Sequence, residues 1–395
     1  MLLLALTPLL ALLNQEILVS SYATDSIVRL DAASFANLGS LTGVDGAQSA
    51  RFGPDGDLYV ACEQSAQVLR LDGVTLAPLG VFVGDDPLTP ADETGGLVAP
   101  TGAVFGPDGN LYVADFVGDD VLRYDGTTGA FIDTFVPAGT GGVAAIDGPD
   151  AGLVFGPDGD LYVPGFESDS VVRFDGVTGA FEAVVMRASQ GLLNPRSLVF
   201  RDDGVLYVSS WGNNRILRAT WGEAPTVFVA STLRPSGICF EPSTGHLLVV
   251  NDQNGALRRY DGTTGALISS PILPAGSPWP GATFLAVAPE PDLLFARFLP
   301  GLAGTTSVAR VTNAAPFAPL AIGVSLTRGS LPIAGCPGQF VGLGDLAVLQ
   351  LLASDAAGRA EWTVNIPASF AGTTIWLQAI DGATCRTSLA LVQSL

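Results

Sequence analysis

The chain has 395 residues, of which 48% are hydrophobic and only 14% charged, and this composition excludes a disordered protein. Its 38 acidic residues outnumber 18 basic ones, all of them Arg, and the formal net charge is −20. Such a charge repels phosphate groups, so neither nucleic acid nor an anionic membrane surface is an expected partner. The 48 glycines and 27 prolines follow no collagen-like period and are typical of a β protein with many turns.

The chain starts with an apolar run, residues 1–13, that is almost entirely Leu and Ala. The run is too short to cross a membrane and predicts a secretory signal over residues 1–15, with export to the periplasm, cell surface or medium. No basic residue precedes it and no clear cleavage site follows it, so a buried first strand is the alternative. No later segment is long and apolar enough for a membrane span.

A nine-residue phrase, Phe105 to Val113, recurs through most of the remaining chain. It is repeated at Phe52 to Val60 and at Phe155 to Val163, and weaker copies begin at Phe200 and Phe240. Its Gly-Pro-Asp-Gly segment predicts a tight turn between an apolar strand and a Leu-Tyr-Val strand. Copies are spaced by 40 to 53 residues, a range typical of propeller blades and other repeat arrays.

Two further strands complete each repeat. A third strand, such as Val121 to Asp125, is followed by a turn at Asp125 to Gly129 that opens a fourth strand. Four short antiparallel strands per unit predict a blade of a β-propeller, in an all-β protein. Strands of the Leu-Tyr-Val type begin at Ile17, Leu58, Leu111, Leu161, Leu206, Leu247 and Leu293.

The number of blades depends on how the ring closes. The strand at Ile17 has no hairpin partner before it, and Phe284 to Val287 could supply one. This arrangement favours six blades, with Leu293 to Thr312 left as an extra hairpin. Seven blades remain the alternative, because Ser307 to Arg310 resembles another third strand.

The repeats end near Thr312, so the predicted propeller spans residues 16–312. Residues 313–319 are interpreted as a linker, and alternation such as Trp362 to Ile366 predicts a small β-sandwich-like domain over residues 320–395. In an oxidising compartment Cys336 and Cys385 are expected to form a disulfide within this domain. Cys62 and Cys239, on non-neighbouring repeats, are expected to remain separate.

Few residues of the sequence indicate a catalytic or metal-binding site. The single histidine, His246, lies in a hairpin turn and excludes a multi-histidine zinc site. No phosphate-loop, dinucleotide-binding or serine-hydrolase motif occurs in a suitable context. A loop with Asp85, Asp86, Asp92 and Glu93 could hold Ca²⁺, although a solvated acidic loop is the favoured interpretation.

An arginine recurs at one position of the third strand in each repeat. We expect each to pair with a carboxylate and to fix the register between blades, rather than to form an anion-binding ring. The positions are Arg29, Arg70, Arg123, Arg173, Arg218, Arg259 and Arg310.

The pattern Gly-x-x-Phe-Gly-Pro-Asp-Gly-x-Leu-Tyr-Val-Ala-Asp, best preserved from Gly102 to Asp115, resembles the NHL-type repeat of six-bladed, TolB-like propellers. The resemblance covers about residues 16–312 and implies a binding or scaffold propeller. The same fold is shared with gluconolactonase-like, metal-dependent hydrolases and with streptogramin lyase, so the fold does not select the function.

Those hydrolases hold a divalent cation in the central channel. The resemblance maps its ligands onto six positions of this chain: Glu63, Asp115, Asp150, Asn194, Ser210 and Asn251. The Pro-Asn-Gly context of such sites is missing, since the equivalent segments read Pro100-Thr101-Gly102 and Pro235-Ser236-Gly237. The catalytic histidines of the lyase are missing as well.

The sequence therefore favours a secreted, monomeric and non-catalytic propeller that binds a protein, glycan or small ligand on one face, without a metal or other cofactor. A metal-dependent lactonase or esterase is the alternative. The predicted recognition surface consists of Glu63, Asp115, Trp211, Asn213 and Asn251.

Overall fold

The computed structural model describes residues 16–287 almost continuously and separate strands between residues 295 and 394. Before residue 288 it leaves out 1–15, 33, 74, 86–91, 143–144, 202, 221, 242–243 and 270–280. Beyond residue 287 it leaves out 288–294, 300–305, 313–318, 326–327, 333–339, 344–345, 355–359, 366–368, 370–373, 382–385, 388–390 and 395. The predicted signal, most of the predicted linker, and Cys336 and Cys385 lie outside the described residues.

The recurring phrase forms a tight hairpin at each copy. In the third repeat the N–H of Gly106 donates to the carbonyl of Asn110 at 2.9 Å, and the N–H of Gly109 donates to Gly106 at 2.9 Å. Gly109 has a φ of 85°, a left-handed conformation that glycine adopts without steric cost. The second turn packs against the first, because a Cβ on Gly126 would lie 1.8 Å from the carbonyl oxygen of Gly109.

Twenty-four strands build the repeated part of the chain. The first twelve are β1 (Glu16–Ser21), β2 (Ser26–Asp31), β3 (Asn37–Thr42), β4 (Ala47–Phe52), β5 (Leu58–Cys62), β6 (Gln67–Leu71), β7 (Pro78–Val83), β8 (Pro100–Phe105), β9 (Leu111–Asp115), β10 (Asp120–Tyr124), β11 (Phe131–Val136) and β12 (Val154–Phe155). The others are β13 (Leu161–Gly165), β14 (Ser170–Phe174), β15 (Phe181–Arg187), β16 (Pro195–Phe200), β17 (Leu206–Ser210), β18 (Arg215–Ala219), β19 (Thr226–Val229), β20 (Pro235–Phe240), β21 (Leu247–Asn251), β22 (Ala256–Tyr260), β23 (Leu267–Ser269) and β24 (Ala282–Val287). Within the fully described loops, 3-10 turns are formed by Ala188–Gln190 and Trp211–Asn213.

These strands form six four-stranded antiparallel sheets among the described residues. Sheet 1 has the order β24-β1-β2-β3, and sheets 2 to 6 contain β4–β7, β8–β11, β12–β15, β16–β19 and β20–β23. In sheet 1, Ile17 pairs with Val287 and Ser20 with Phe284, which confirms the predicted pairing of the two distant segments. A strand from late in the chain therefore completes the first sheet.

The sheets lie in a closed ring around a central channel. Strand β24 contacts both β4 and β20, so the last sheet meets the first. Buried apolar clusters fill every junction, and one of them joins Leu248 and Leu257 of sheet 6 to Ile17 and Val28 of sheet 1. The upper end of the ring carries the loops that follow the second strand of each sheet, and the lower end carries the Gly-Pro-Asp-Gly turns.

Tyrosines of the recurring phrase connect neighbouring sheets. The ring of Tyr112 lies edge-on to Phe155 of the next sheet at 4.9 Å and to Phe135 of its own sheet at 4.8 Å. Its hydroxyl donates to Asp108 at 2.9 Å. The same contact with the next sheet is made by Tyr59, Tyr162 and Tyr207. The phrase therefore recurs because its Phe, Asp and Tyr are used together at successive junctions.

Five of the seven recurring arginines pair with carboxylates, as predicted, but within one sheet rather than between sheets, and the side chain of Arg310 lies outside the described residues. Arg29 on β2 binds Glu16 on β1 at 2.7 Å, and Arg123 on β10 binds Asp133 on β11 at 2.5 Å. Arg218 differs, since its Nε donates to the hydroxyl of Thr226 at 3.4 Å. The further carboxylate pairs join Arg70 to Asp57, Arg173 to Asp158, and Arg259 to Glu241. These pairs fix strands inside a sheet.

The strands after residue 294 form separate sheets. They are β25 (Phe295–Leu299), β26 (Thr306–Thr312), β27 (Pro319–Ser325), β28 (Arg328–Pro332), β29 (Phe340–Leu343), β30 (Leu346–Ala353), β31 (Ala360–Asn365), β32 (Thr374–Asp381), β33 (Arg386–Thr387) and β34 (Leu391–Ser394). Strands β25 and β26 form a hairpin, and β26 also pairs with β31. The hairpin expected at Leu293 to Thr312 is thus hydrogen-bonded to a strand of the C-terminal region.

Strand β27 is central in the other large sheet, between β30 and β32. Strands β33 and β34 both pair with β32, and β28 pairs with β29.

None of the helices in the described part of the chain has the length and apolar character needed to cross a membrane.

Candidate functional site

One residue position at the upper end is equivalent in all six sheets. In each sheet the second and third strands are hydrogen-bonded partners as far as the last residue of the second strand. Examples of this last pair are Asp115 with Asp120 and Asn251 with Ala256. The next residue, which we call the rim position, is half-buried in every sheet. The rim positions are Tyr22, Glu63, Phe116, Phe166, Trp211 and Asp252. Four aromatic and two acidic side chains therefore surround the upper mouth of the channel.

Three rim aromatics form a continuous row over sheets 3 to 5. The ring centroids of Phe116 and Phe166 are 6.1 Å apart, and those of Phe166 and Trp211 are 5.6 Å apart. Both distances lie in the range of attractive ring contacts. Because these rings are half-buried, they offer a partly exposed aromatic surface.

Arg196 on β16 connects four sheets across the mouth. Its Nε donates to Asp150 Oδ2 at 2.8 Å, and its Nη2 donates to Gln48 Oε1 of sheet 2 at 3.4 Å. Its Nη1 lies 3.9 Å from Asp252 Oδ2 of sheet 6, and its guanidinium carbon lies 5.8 Å from the ring centroid of Phe166. Sheets 2 and 5 are not neighbours, so the Arg196 side chain extends into the channel.

Glu63 adds a third carboxylate to this network. It accepts a hydrogen bond from Nε2 of Gln48, the residue that also binds Arg196. Burial raises the pKa of Glu63, and the negative charge of Asp150 adds to this shift. One guanidinium therefore faces the carboxylates of Glu63, Asp150 and Asp252, and the mouth is acidic.

Trp211 is attached to the same network. Its Nε1 donates to Asp252 Oδ2 at 2.9 Å, and the guanidinium carbon of Arg234 lies 4.6 Å from its ring centroid. Asn213, two residues on, donates from Nδ2 to the carbonyl of Gly191 at 2.7 Å. Its buried Oδ1 has no hydrogen-bond partner in the described structure. Asn213 thus anchors the 3-10 turn that presents the tryptophan.

The structure places Asp115 and Asn251 beneath the loops rather than on the surface. Asp115 is 1% exposed and accepts hydrogen bonds from the backbone N–H groups of Val98 and Ala99, each at 2.8 Å. Asn251 is fully buried, and its Oδ1 accepts from the hydroxyl of Thr232 at 3.0 Å. Both side chains hold the loop that leads into the first strand of their own sheet, which is a structural role.

Sequence reasoning treated Glu63 as equivalent to Asp115 and Asn251, and this alignment was wrong by one residue. Strand β5 ends at Cys62, whereas β9 ends at Asp115 and β21 at Asn251. The structure brings Glu63 and Trp211 into one network and leaves the other three predicted residues in supporting positions. The site residues that the sequence-based prediction missed are Gln48, Phe116, Phe166, Arg196 and Asp252. Alignment of the strand ends would have revealed the rim positions.

The acidic group best arranged for a cation lies elsewhere. Among the described residues, only Asp160, Asp175 and Glu182 bring enough carboxylate oxygens within reach of one ion. They lie at the lower end of sheet 4, and Arg173 binds both Asp160 and Glu182. This group belongs to the ion pairs of the sheet and is remote from the upper mouth.

A cavity of about 620 Å³ opens at the lower side, between sheets 4 and 5. Its walls include Tyr162, Arg173, Phe200, Leu206 and Glu223. None of the rim positions contributes to it. We take the upper mouth as the candidate site because charged and aromatic side chains from all six sheets surround it.

Solved structures share the architecture of the ring. A protein of unknown function from Bacteroides caccae is 14% identical, with a TM-score of 0.53, and the match covers 70% of this chain and 100% of that one. A chain in the crystal structure of a nidogen/laminin complex is 14% identical with a TM-score of 0.52, over 70% of this chain and 99% of that one. A catalytically inactive virginiamycin B lyase from Staphylococcus aureus gives a TM-score of 0.49 at 14% identity, over 70% and 92% of the two chains.

The ring of four-stranded sheets and the similarity to the Bacteroides caccae protein and to the chain of the nidogen/laminin complex define the protein as a β-propeller. No protein-family model and no curated protein matches the chain. Identities of 14% carry the fold and nothing further, so the function has to be argued from the site.

Proposed function

We propose that this protein is a non-catalytic propeller of the NHL type that binds a protein, glycan or small ligand at its upper end. The observation that carries the proposal is the aromatic row of Phe116, Phe166 and Trp211 beside the carboxylates of Glu63 and Asp252. Aromatic faces next to carboxylates suit sugar hydroxyl groups and neutral or cationic peptide side chains. The acidic mouth disfavours anionic ligands.

The internal contacts of the polar residues support binding rather than catalysis. Arg196 donates a hydrogen bond to the carboxylate of Asp150, and Gln48 donates one to Glu63. These contacts hold the four side chains in place. The single histidine, His246, lies in a lower turn, where its carbonyl accepts from the N–H of Glu241 at 2.9 Å. A proton-transfer pair of the usual histidine type is therefore not available at the mouth.

Arrays of glycans and of synthetic peptides test the proposal directly. We expect the purified protein to bind members of one array, and Phe166→Ala or Trp211→Ala to weaken this binding about tenfold or more. Phe131→Ala is the matched control, because Phe131 is 37% exposed on the outer strand β11. Binding that survives both rim substitutions, with folding verified by circular dichroism, would refute the proposal.

A metal-dependent lactonase is the alternative, and it predicts a different result. Ca²⁺ takes about 6–8 oxygen ligands, so a channel metal needs several carboxylate, amide or carbonyl oxygens at one point. We propose that the protein holds no stoichiometric metal and does not hydrolyse lactones. Elemental analysis and a lactone assay with and without chelator measure both properties. One equivalent of metal together with chelator-sensitive turnover would replace the binding proposal with the hydrolase.

We further propose that the protein is exported as a monomer after removal of residues 1–15, and that its C-terminal β region serves as an accessory or attachment module. The apolar run at residues 1–13 supports this location. N-terminal sequencing of secreted protein should give a start near residues 14–16. Intact Met1 recovered from a cytosolic fraction would contradict export.

A further inference from the structure

The junction between sheets 4 and 5 lacks an aromatic ring that three other junctions contain. Near the end of the fourth strand, the residue at a bulge packs into the junction, and it is Phe82 in sheet 2, Phe135 in sheet 3 and Phe228 in sheet 5. Each ring lies edge-on to the tyrosine of the second strand, at 4.8 or 4.9 Å. In sheet 4 the same position is Val185, so Tyr162 lacks this contact among the described rings.

The other side of the same junction carries a small side chain as well. The last residue of each third strand is opposite the first residue of the second strand and packs against the preceding sheet. In five sheets this residue is aromatic or leucine, namely Tyr124, Phe174, Tyr260, Leu30 and Leu71. In sheet 5 it is Ala219, which belongs to the same apolar cluster as Val185. Two large side chains are therefore replaced by small ones at one junction.

The turn after the third strand also leaves this junction open. In sheets 3, 4 and 6 the last glycine of this turn packs against the preceding sheet, because a Cβ there would lie 1.8 to 2.1 Å from a carbonyl oxygen of its fourth strand. In sheet 5 the turn has a different sequence, and a Cβ on Gly222 would meet no described atom within 4 Å. The cavity of about 620 Å³ described above opens at this point, and Val185, Ala219 and Gly222 line it. Trp221 lies outside the described residues.

The walls of the cavity combine aromatic rings with an excess of negative charge. The rings of Tyr162 and Phe200 lie 4.9 Å apart, and the hydroxyl of Tyr162 donates to Asp158 at 2.8 Å. Arg173 is the cationic side chain among the described wall residues, and it already binds Asp158, Asp160 and Glu182. Glu223 is exposed and adds a further carboxylate to the wall. A positive charge is therefore favoured at the opening.

We propose that the cavity between sheets 4 and 5 binds a small aromatic amine. Its ring takes the place of the aromatic side chains that other junctions carry at the positions of Val185 and Ala219, and it contacts the ring of Tyr162. Its ammonium group lies at the opening, near the carboxylates of Asp158 and Glu223. The volume is within the range of about 300–1,000 Å³ that is usual for small-molecule sites. This site is separate from the upper mouth, and its test does not depend on the function proposed there.

Titration of the full chain with phenethylamine, followed by methyl NMR, tests the site. We expect saturable binding with a Kd of about 1 mM or tighter, and shifts of the methyl signals of Val185 and Ala219 but not of Val177, which is 80% exposed. Butylamine has the same charge without the ring, and phenylacetate has the ring with the opposite charge. Each should bind about tenfold more weakly or less. Equal binding of butylamine, or no shift at Val185 and Ala219, would overturn the proposal.

Two variants fill the cavity with the side chains that the other junctions use. Val185→Phe and Ala219→Tyr should each weaken phenethylamine binding about tenfold or more, because the ring of the ligand and the new ring need the same space. Val177→Phe is the matched control, because it adds the same ring at an exposed position in the turn of sheet 4 and should leave binding unchanged. Undiminished binding in both filled variants, with folding verified by circular dichroism, would contradict the site.

A further variant, Trp221→Gly, concerns the residue that precedes Gly222 in the turn. Binding to the native chain that this substitution leaves within about twofold supports a site formed by the described walls. Binding that occurs only in Trp221→Gly would mean that the native chain fills the cavity itself, and it would overturn the proposal.

Discussion

Asp150 and Arg196 show how one buried ion pair organises the upper mouth. Asp150 is 2% exposed, and the Arg196 side chain is only 14% exposed. The pair Arg123–Asp133 has similar chemistry, but its aspartate side chain is 45% exposed. Removing one partner of a buried pair leaves a charge without solvent or counter-charge, whereas a solvated pair contributes little.

The first prediction concerns this pair. Arg196→Met should lower the free energy of unfolding by about 3–5 kcal/mol, because Asp150 then remains buried without its cation. The double variant Arg196→Met/Asp150→Asn should recover part of the loss, and Arg123→Met should cost less than about 1 kcal/mol. Urea denaturation measures all three values. Equal losses for Arg196→Met and Arg123→Met would contradict the importance of burial.

Asp120, at the start of β10, introduces a pH dependence. Burial raises the pKa of Asp120 to about 7, and the negative charges of Asp115 and Asp119 add to this effect. Its Oδ1 is buried without a hydrogen-bond partner in the described structure. The ordinary pKa of an unfolded Asp is about 3.9. A folded pKa above the unfolded one contributes stability at low pH, and that contribution is lost as the pH rises through about 7.

The second prediction follows from this sign. As the pH rises from about 4 to about 8, the free energy of unfolding of Asp120→Asn should increase relative to that of the wild-type protein. The gain at pH 8 should be about 1–3 kcal/mol, less than the full linkage value because the side chain is partly solvated. Denaturant melts at several pH values measure the difference. A difference that is constant with pH would show that Asp120 does not titrate in this range.

At the scale of the strand, the tyrosine on the second strand carries much of the contact between neighbouring sheets. Tyr112 is 1% exposed, touches Phe135 and Phe155, and donates a hydrogen bond to Asp108. The ring and the hydroxyl thus make separable contributions. The ring fills the junction between sheets, and the hydroxyl holds the turn of its own hairpin.

The third prediction separates the contribution of the Tyr112 ring to stability from that of its hydroxyl group. Tyr112→Phe keeps the ring and should cost about 0.5–1.5 kcal/mol, the usual net value of one hydrogen bond. Tyr112→Ala empties the junction and should cost about 3–5 kcal/mol. Thermal and denaturant unfolding of the two variants give the comparison. If both substitutions cost the same, the aromatic contact between sheets would not be the main contribution.

At the scale of the whole molecule, the ring depends on a strand from late in the chain. Strand β1 is central in sheet 1, paired with β24 on one side and β2 on the other, whereas β3 is an edge strand. A proline in a central strand removes a ladder hydrogen bond, while edge strands tolerate it. Closure by β24 therefore makes β1 more sensitive than β3.

The fourth prediction uses this difference. Val19→Pro, in the middle of β1, should lower the free energy of unfolding by about 3 kcal/mol or more. Ser40→Pro, in the exposed edge strand β3, should cost clearly less. Limited proteolysis and denaturant unfolding measure the effect. Similar losses at both positions would mean that pairing with β24 does not make β1 a central strand in solution.

The amino-acid sequence by itself determined the repeated hairpins and the four-stranded unit. These features depend on contacts between residues close in the chain, such as the turn from Gly106 to Asn110 with its left-handed Gly109. It also predicted the pairing of Phe284 with the first strand, because that strand lacked a hairpin partner. Local turn chemistry and strand counting were sufficient for these conclusions.

The tertiary structure decided which side chains meet. Glu63 belongs to the rim while Asp115 and Asn251 do not, because a shift of one residue turns a strand-end side chain from the surface to the interior. Gln48, Asp150, Arg196 and Asp252 are far apart in the sequence and converge only because the ring closes around one channel. Asp252 occupies a rim position, which alignment of the repeats identifies, but no periodicity in the sequence identifies Gln48, Asp150 and Arg196, because their partners lie on other sheets.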